Sequence, residues 1–208
     1  MSTVLHIVGS PRESSASTAL AKHFLEHYRR ANPNDEIVTC DLWDEPLHEF
    51  RGLAADGKLK TMAQMELSEA EAQQFHAVDR YIEQLRRADK LVVSAGMWNF
   101  GVPYRLKHWL DLIIQPGQTF GFNPETGYFG MVEGKPVQFL LATGGDYSEG
   151  SPMAAYDMFV PYLDLVFGFI GFRDRRFVVH SGTVLPPEMS EPARERAYAA
   201  AVEAASKL

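Results

Sequence analysis

The chain has 208 residues, 46% of them hydrophobic, which suits one domain with a sizeable buried core. Its net charge of −7 is spread along the sequence, so the concentrated basic face that nucleic acid or anionic lipid requires is missing. No apolar run approaches the roughly 20 residues needed to span a bilayer, and the first residues, MSTVLHIVG, do not read as a leader, so a cytoplasmic protein that binds small molecules or copies of itself is expected.

In chain order, TVLHIV (3–8) predicts a strand and 15–31 a helix whose Leu20, Phe24 and Tyr28 form one apolar stripe. EIVTC (36–40) predicts a second strand, ending in the only cysteine, Cys40, which reads as a small buried residue. Residues 42–64 are irregular and long for a connection, which predicts a lid or a partner contact. A helix over 68–87, a strand at 90–95 and a helix over 103–114 follow, then a further long loop at 115–130. Strands are predicted at 136–142 and 175–180, and helices at 152–171 and 188–206. The 152–171 helix carries Met153, Tyr156, Val160, Leu163, Phe167 and Ile170 on one stripe, with Phe159, Tyr162, Val166 and Phe169 beyond it. Such a helix needs a second surface to cover it, and a two-fold dimer is the simplest. Pro161 inside it predicts a kink unless the helix is two pieces. The alternation of strands and helices predicts a single α/β domain over 1–208, a parallel sheet with helices on both faces.

Ligands in such folds bind at the carboxyl ends of strands, which directs attention to three loops. After the first strand, GSPRESSAS places Ser10 at the strand end and Ser15 and Ser17 where the helix begins, so hydroxyls and free backbone N–H groups can converge on an anion. The simpler alternative is an N-cap and a turn with nothing bound. Neither GxxxxGK[ST] nor a GxGxxG after a strand is present, which argues against a nucleoside triphosphate. After the third strand, Met97, Trp98, Asn99 and Phe100 offer planar and polarizable surface beside an amide, suited to a flat heterocycle, or else simply core. After the fourth, TGGDYSEG offers a glycine turn that a ligand edge can approach.

These three segments, in this order and spacing, together with VPYLDLVFGFIGFRDRRFV, resemble the FMN-dependent NADH-azoreductase and NAD(P)H quinone reductase family of flavodoxin-like proteins. The resemblance covers nearly the whole chain. It implies a flavodoxin-like five-stranded sheet of order 2-1-3-4-5, and an enzyme that passes reducing equivalents from NADH or NADPH through FMN to quinones or aromatic azo compounds in ping-pong turnover. It implies Ser10, Ser15, Ala16 and Ser17 at the FMN phosphate, Met97, Trp98, Asn99 and Phe100 against the ring, Thr143, Gly144 and Gly145 at its edge, and Phe120 lining the substrate pocket. It also implies a homodimer with pockets at the interface. The chain departs from the family pattern at Ala142-Thr143, where Ser-Arg is common, and at Trp98, where tyrosine is common; both changes bear on the acceptor.

The alternative class is a non-catalytic electron carrier or redox-responsive flavin-binding module; the long loops at 42–64 and 115–130 favour an enclosed pocket and hence the enzyme. No metal site is expected: His23 and His27 lie at i,i+4 without a third ligand and read as a solvated helix face. No GxSxG elbow is present, and His6 and His180 read as satisfied strand histidines.

Overall fold

A computed structural model describes all residues, 1–208. The elements run Thr3–Val8 (β1), Ala16–Ala31 (α1), Glu36–Asp41 (β2), Leu53–Met62 (α2), Glu69–His76 (α3), Asp79–Arg87 (α4) and Lys90–Gly96 (β3). They continue with Tyr104–Ile113 (α5), Phe120–Asn123 (β4), Gly127–Gly130 (β5), Val137–Ala142 (β6), Val160–Ile170 (α6), Arg175–His180 (β7) and Pro187–Lys207 (α7). Five strands form one parallel sheet, ordered β2-β1-β3-β6-β7; β4 and β5 make a separate antiparallel hairpin. Counting only the strands of the main sheet, this is the expected order 2-1-3-4-5, so the fold is flavodoxin-like.

Successive side chains of a strand point to opposite faces, and the sheet sorts its residues accordingly. Leu5, Ile7, Leu91, Val93, Phe139 and Leu141 face a core shared with α4, α5 and α6, while Val4, Val92, Leu140 and Val178 face α1 and α7. The stripe Leu20, Phe24 and Tyr28 is wholly buried on the second face. Cys40 is buried as expected, and burial raises its thiol pKa to about 11, so it stays protonated at neutral pH. No helix is long and apolar enough to cross a membrane.

Four expectations about elements are corrected. Residues 42–64 contain α2, whose contact face is made of the small Ala54 and Gly57, so no apolar stripe announces it. Its neighbour α3 lies so close that a Cβ on Gly57 would come within 2.8 Å of the Phe75 Cβ. The helix expected over 68–87 is two, broken at Ala77-Val78 with no glycine or proline to mark the break. The loop at 115–130 holds the β4–β5 hairpin. The helix expected over 152–171 begins only at Val160, because Asp157 accepts the Phe159 and Val160 amides (2.8 and 3.1 Å) and Pro161 falls in the first turn, where its missing N–H is harmless. Pro161 therefore starts a helix and kinks none, and Met153 and Tyr156 lie outside the stripe, exposed.

Candidate functional site

The strand order reverses between β1 and β3, and the loops after β1, β3 and β6 meet there at the carboxyl edge of the sheet. The chain leaves β1 through Gly9, whose amide bonds the Ser94 carbonyl (2.8 Å). A Cβ on Gly9 would stand 3.2 Å from both the Ala95 Cβ and the Ser94 carbonyl oxygen, so the loop lies flat on β3 only because the residue is glycine.

Ser15 then caps α1: its Oγ accepts the Thr18 amide (3.1 Å), donates to the Thr18 hydroxyl (2.8 Å) and lies 3.2 Å from the Ser17 Oγ. The amides of Ala16 and Ser17 have no acceptor in the chain. Ser10, Ser15 and Ser17 are all buried. They open, with those two amides, on a cleft of ≈ 350 Å³ whose only charged lining residue is Arg12, a cation in no ion pair. Two free amides at a helix N-terminus, three hydroxyls and one guanidinium, with no carboxylate, make the inner end of this cleft selective for an anion.

The opposite wall comes from the loop after β3. The Met97 amide bonds the Ala142 carbonyl (2.8 Å), and Trp98 and Gly101 exchange two backbone bonds (2.9 and 3.0 Å) around a two-residue turn. Both turn residues, Asn99 (φ 47°) and Phe100 (φ 71°), are left-handed, which asparagine tolerates and phenylalanine resists by about 1 kcal/mol. The surroundings hold Phe100 there: its ring packs on Tyr147 and Tyr156, and its carbonyl accepts the Met158 amide (3.0 Å). Trp98, 40% exposed, stands in an aromatic group with Trp43 (5.9 Å between centroids) and Tyr104 (6.0 Å), and the Trp43 Nε1 donates to the Gly9 carbonyl (3.1 Å). The anion loop and the aromatic wall are thus tied together by one side chain from the end of β2.

The third loop is held by its neighbour after β7. Thr183 and Val184 donate backbone bonds to the Thr143 and Gly144 carbonyls (3.0 and 3.2 Å), and the Thr143 hydroxyl bonds the Gly145 carbonyl (2.8 Å). Neither Gly144 nor Gly145 has positive φ. What glycine supplies at 144 is room: a Cβ would meet only Val184, at 3.4 Å, on the cleft wall.

Of the expected residues, Ser10, Ser15, Ala16, Ser17, Met97, Trp98 and Gly144 line this cleft together. Asn99, Phe100, Thr143 and Gly145 stand behind them and shape the two turns. Phe120 is apart, 5% exposed and packed on Phe169 and Tyr128 at the edge of a separate apolar cleft under the β4–β5 hairpin. Sequence reasoning missed Arg12, Trp43, Thr183 and Val184; a charge inside a serine loop was a usable signal for the first, and nothing local marked the others. His6 is satisfied, with its Nε2 2.9 Å from the Ser94 Oγ, and burial lowers its pKa to about 4. His180 is not satisfied: neither ring nitrogen has a partner in the chain. His23 packs against Tyr198 and His27 and is half-buried, so that helix face is not simply solvated.

Shape and chemistry therefore fit a ligand with a phosphate-like end and a flat ring. Residues 2–205 match the family described as flavodoxin-like fold. Over 198 residues the chain is 38% identical to FMN-dependent NADH:quinone oxidoreductase 1 of Bradyrhizobium diazoefficiens, covering 95% of each. Among solved structures it is similar to an azoreductase from Bacillus anthracis, with a TM-score of 0.90 and 33% identity over all of both chains. A second structure from that organism, an FMN-dependent NADH-azoreductase in complex with FMN, matches with a TM-score of 0.85 and 28% identity over 100% of this chain and 99% of that one.

Proposed function

Because the chain belongs to the flavodoxin-like family its residues match, we propose that the cleft seats FMN and that the protein is an FMN-dependent NADH:quinone oxidoreductase with activity toward azo compounds. The observation that carries this is the convergence of two free helix-end amides, three buried hydroxyls and the Trp98 wall on one cleft at the reversal of strand order. When bound, FMN supplies hydride and electron transfer between a nicotinamide and an acceptor. The residues of the chain do the rest. Ser10, Ser15, Ser17 and the Ala16 and Ser17 amides hold the phosphate, with Arg12 as its counter-charge. Met97 and Trp98 give the ring an apolar seat, the 99–100 turn fixes their backbone, and Gly144 leaves the edge of the ring free of side chain.

No side chain of the cleft is a general acid or base, in keeping with chemistry supplied by the cofactor. One binding face then serves in turn for the donor and the acceptor, so NADH leaves before the quinone or azo compound enters. The exposed Trp98, Phe100, Tyr104, Met158 and Leu165 support a homodimer that covers this mouth. We place the protein in the cytoplasm.

The test is a visible spectrum of the purified chain after incubation with FMN and removal of the excess, followed by anaerobic NADH and then a quinone. Retained yellow colour that NADH bleaches and the quinone restores is the expected result. Retained flavin with no quinone-dependent NADH consumption would instead identify a carrier. Parallel initial-rate lines against NADH and quinone check the ping-pong order, and sedimentation equilibrium checks the dimer.

A further inference from the structure

Trp43 is half-buried and does not line the cleft, yet it touches two of its walls. Its indole Nε1 donates to the Gly9 carbonyl (3.1 Å), and its ring lies 5.9 Å from the Trp98 ring between centroids, tilted by 41°. Tyr104 completes the group, edge-on to Trp43 at 5.2 Å and to Trp98 at 6.0 Å, all within the range at which aromatic rings attract. The backbone that presents Trp43 is fixed on both sides. The Leu42 amide donates to the Val8 carbonyl (3.1 Å), the Trp43 amide to the Asp41 Oδ1 (2.9 Å), and Arg105 to the Leu42 and Glu45 carbonyls (2.7 and 2.6 Å).

What Trp43 holds is a peptide that glycine would otherwise leave free to turn. The Gly9 carbonyl and the Ser10 N–H belong to one planar trans unit and point in opposite directions. A carbonyl held toward Trp43 therefore holds the Ser10 N–H away from it. That amide has no acceptor in the chain, although Ser10 is only 8% exposed, and Ser10 lines the anion end of the cleft beside the free amides of Ala16 and Ser17. Such an N–H is costly to leave unpaired, and an anion is the acceptor this end of the cleft favours. We propose that Trp43 is a positioning residue: through Gly9 it aims a third amide, that of Ser10, at the anion, and through Trp98 it sets the ring wall, so that one side chain couples the two ends of the site. The proposal rests on the reading of the cleft as the seat of FMN.

The experiment titrates FMN and riboflavin, which differ only by the phosphate, into the full chain freed of flavin, following flavin fluorescence. Two replacements remove the indole N–H. Trp43→Phe keeps an aromatic ring, and benzothienylalanine at position 43 keeps the bicyclic shape, so that a folding defect in the first does not decide the result. Both should weaken FMN about five- to tenfold and leave riboflavin within about twofold. Tyr104→Leu leaves the N–H in place and removes a neighbour of the Trp98 ring, so it should weaken the two flavins by the same factor. In the flavin-free protein the circular-dichroism couplet of the Trp43 and Trp98 indoles should be present, and Trp43→Phe and Trp98→Phe should each abolish it. Equal weakening of FMN and riboflavin on loss of the N–H would overturn the proposal and leave Trp43 a packing residue of the ring wall. An FMN affinity that benzothienylalanine does not change would also overturn it. A wild-type chain that binds neither flavin, or binds riboflavin as tightly as FMN, refutes the reading of the cleft instead.

Discussion

Gly9 and Arg12, three residues apart, do opposite work in one loop. Gly9 lets the backbone lie on β3, and Gly9→Ala should cost about 1 to 3 kcal/mol by overpacking, because the 3.2 Å neighbours are a strand carbonyl and a buried Cβ with little room to yield. Denaturant melts of the two proteins measure this, and an unchanged midpoint would show that the loop can lift. Arg12, as the proposed counter-charge of the phosphate, should bear on the ligand and not on the fold. Arg12→Ala should leave the melt within about 0.5 kcal/mol, weaken FMN about tenfold and flatten the dependence of binding on salt. The serines of this loop were legible as a candidate anion site because hydroxyls and free amides meet at a strand-to-helix junction, although Ser15 also serves as the N-cap of α1. Trp43 was not, because it reaches Gly9 and Trp98 across the sheet edge from a segment of ordinary composition.

At the scale of elements, residues 42–64 are pinned and do not have the loose attachment of a lid. Arg105 donates to the Leu42 and Glu45 carbonyls (2.7 and 2.6 Å), Tyr81 to Pro46 (2.9 Å), His108 to His48 (2.8 Å) and Lys58 to Ile114 (2.8 Å). Arg105, Tyr81 and His108 come from α4 and α5, so backbone carbonyls of 42–48 are satisfied by other elements, which is why that stretch shows no pattern of its own, while Lys58 ties α2 to the end of α5. Arg105→Met should speed amide exchange over 42–47 and leave β1 and β3 protected; uniform protection would mean the remaining bonds suffice. The start of α3 is set by a reciprocal cap between Ser68 and Glu71. Lys60 and Ser68 hold the Glu71 pKa down at about 2. A carboxylate lowered in the folded state stabilises above its unfolded value and ceases to as pH falls through its folded one. Exchange in α3 should therefore rise between about pH 4.5 and 2, and Glu71→Gln should remove that pH dependence.

For the molecule as a whole, His6 is a titratable group in the middle of the sheet. Its pKa is lowered from 6.5 to about 4 by burial first and by Arg29 second, so the fold favours the neutral ring. That stability is complete above pH 6.5 and is lost as pH falls toward 4, on the order of 3 kcal/mol over the interval. His6→Asn should be less stable at pH 7 yet lose less on acidification; equal losses in both proteins would assign the acid sensitivity elsewhere. The sequence by itself determined the five parallel strands, the stripe of α1 and the identity of the serine loop, because period-two runs, period-3.6 stripes and caps act within a few residues of one another. Only the tertiary structure decided that Thr183 and Val184 hold the glycine turn, and that Trp43 ties the loop of Ser10 to Trp98. Those contacts join segments far apart in the chain, and nothing local encodes them: they exist only once the sheet has brought its carboxyl ends to one edge.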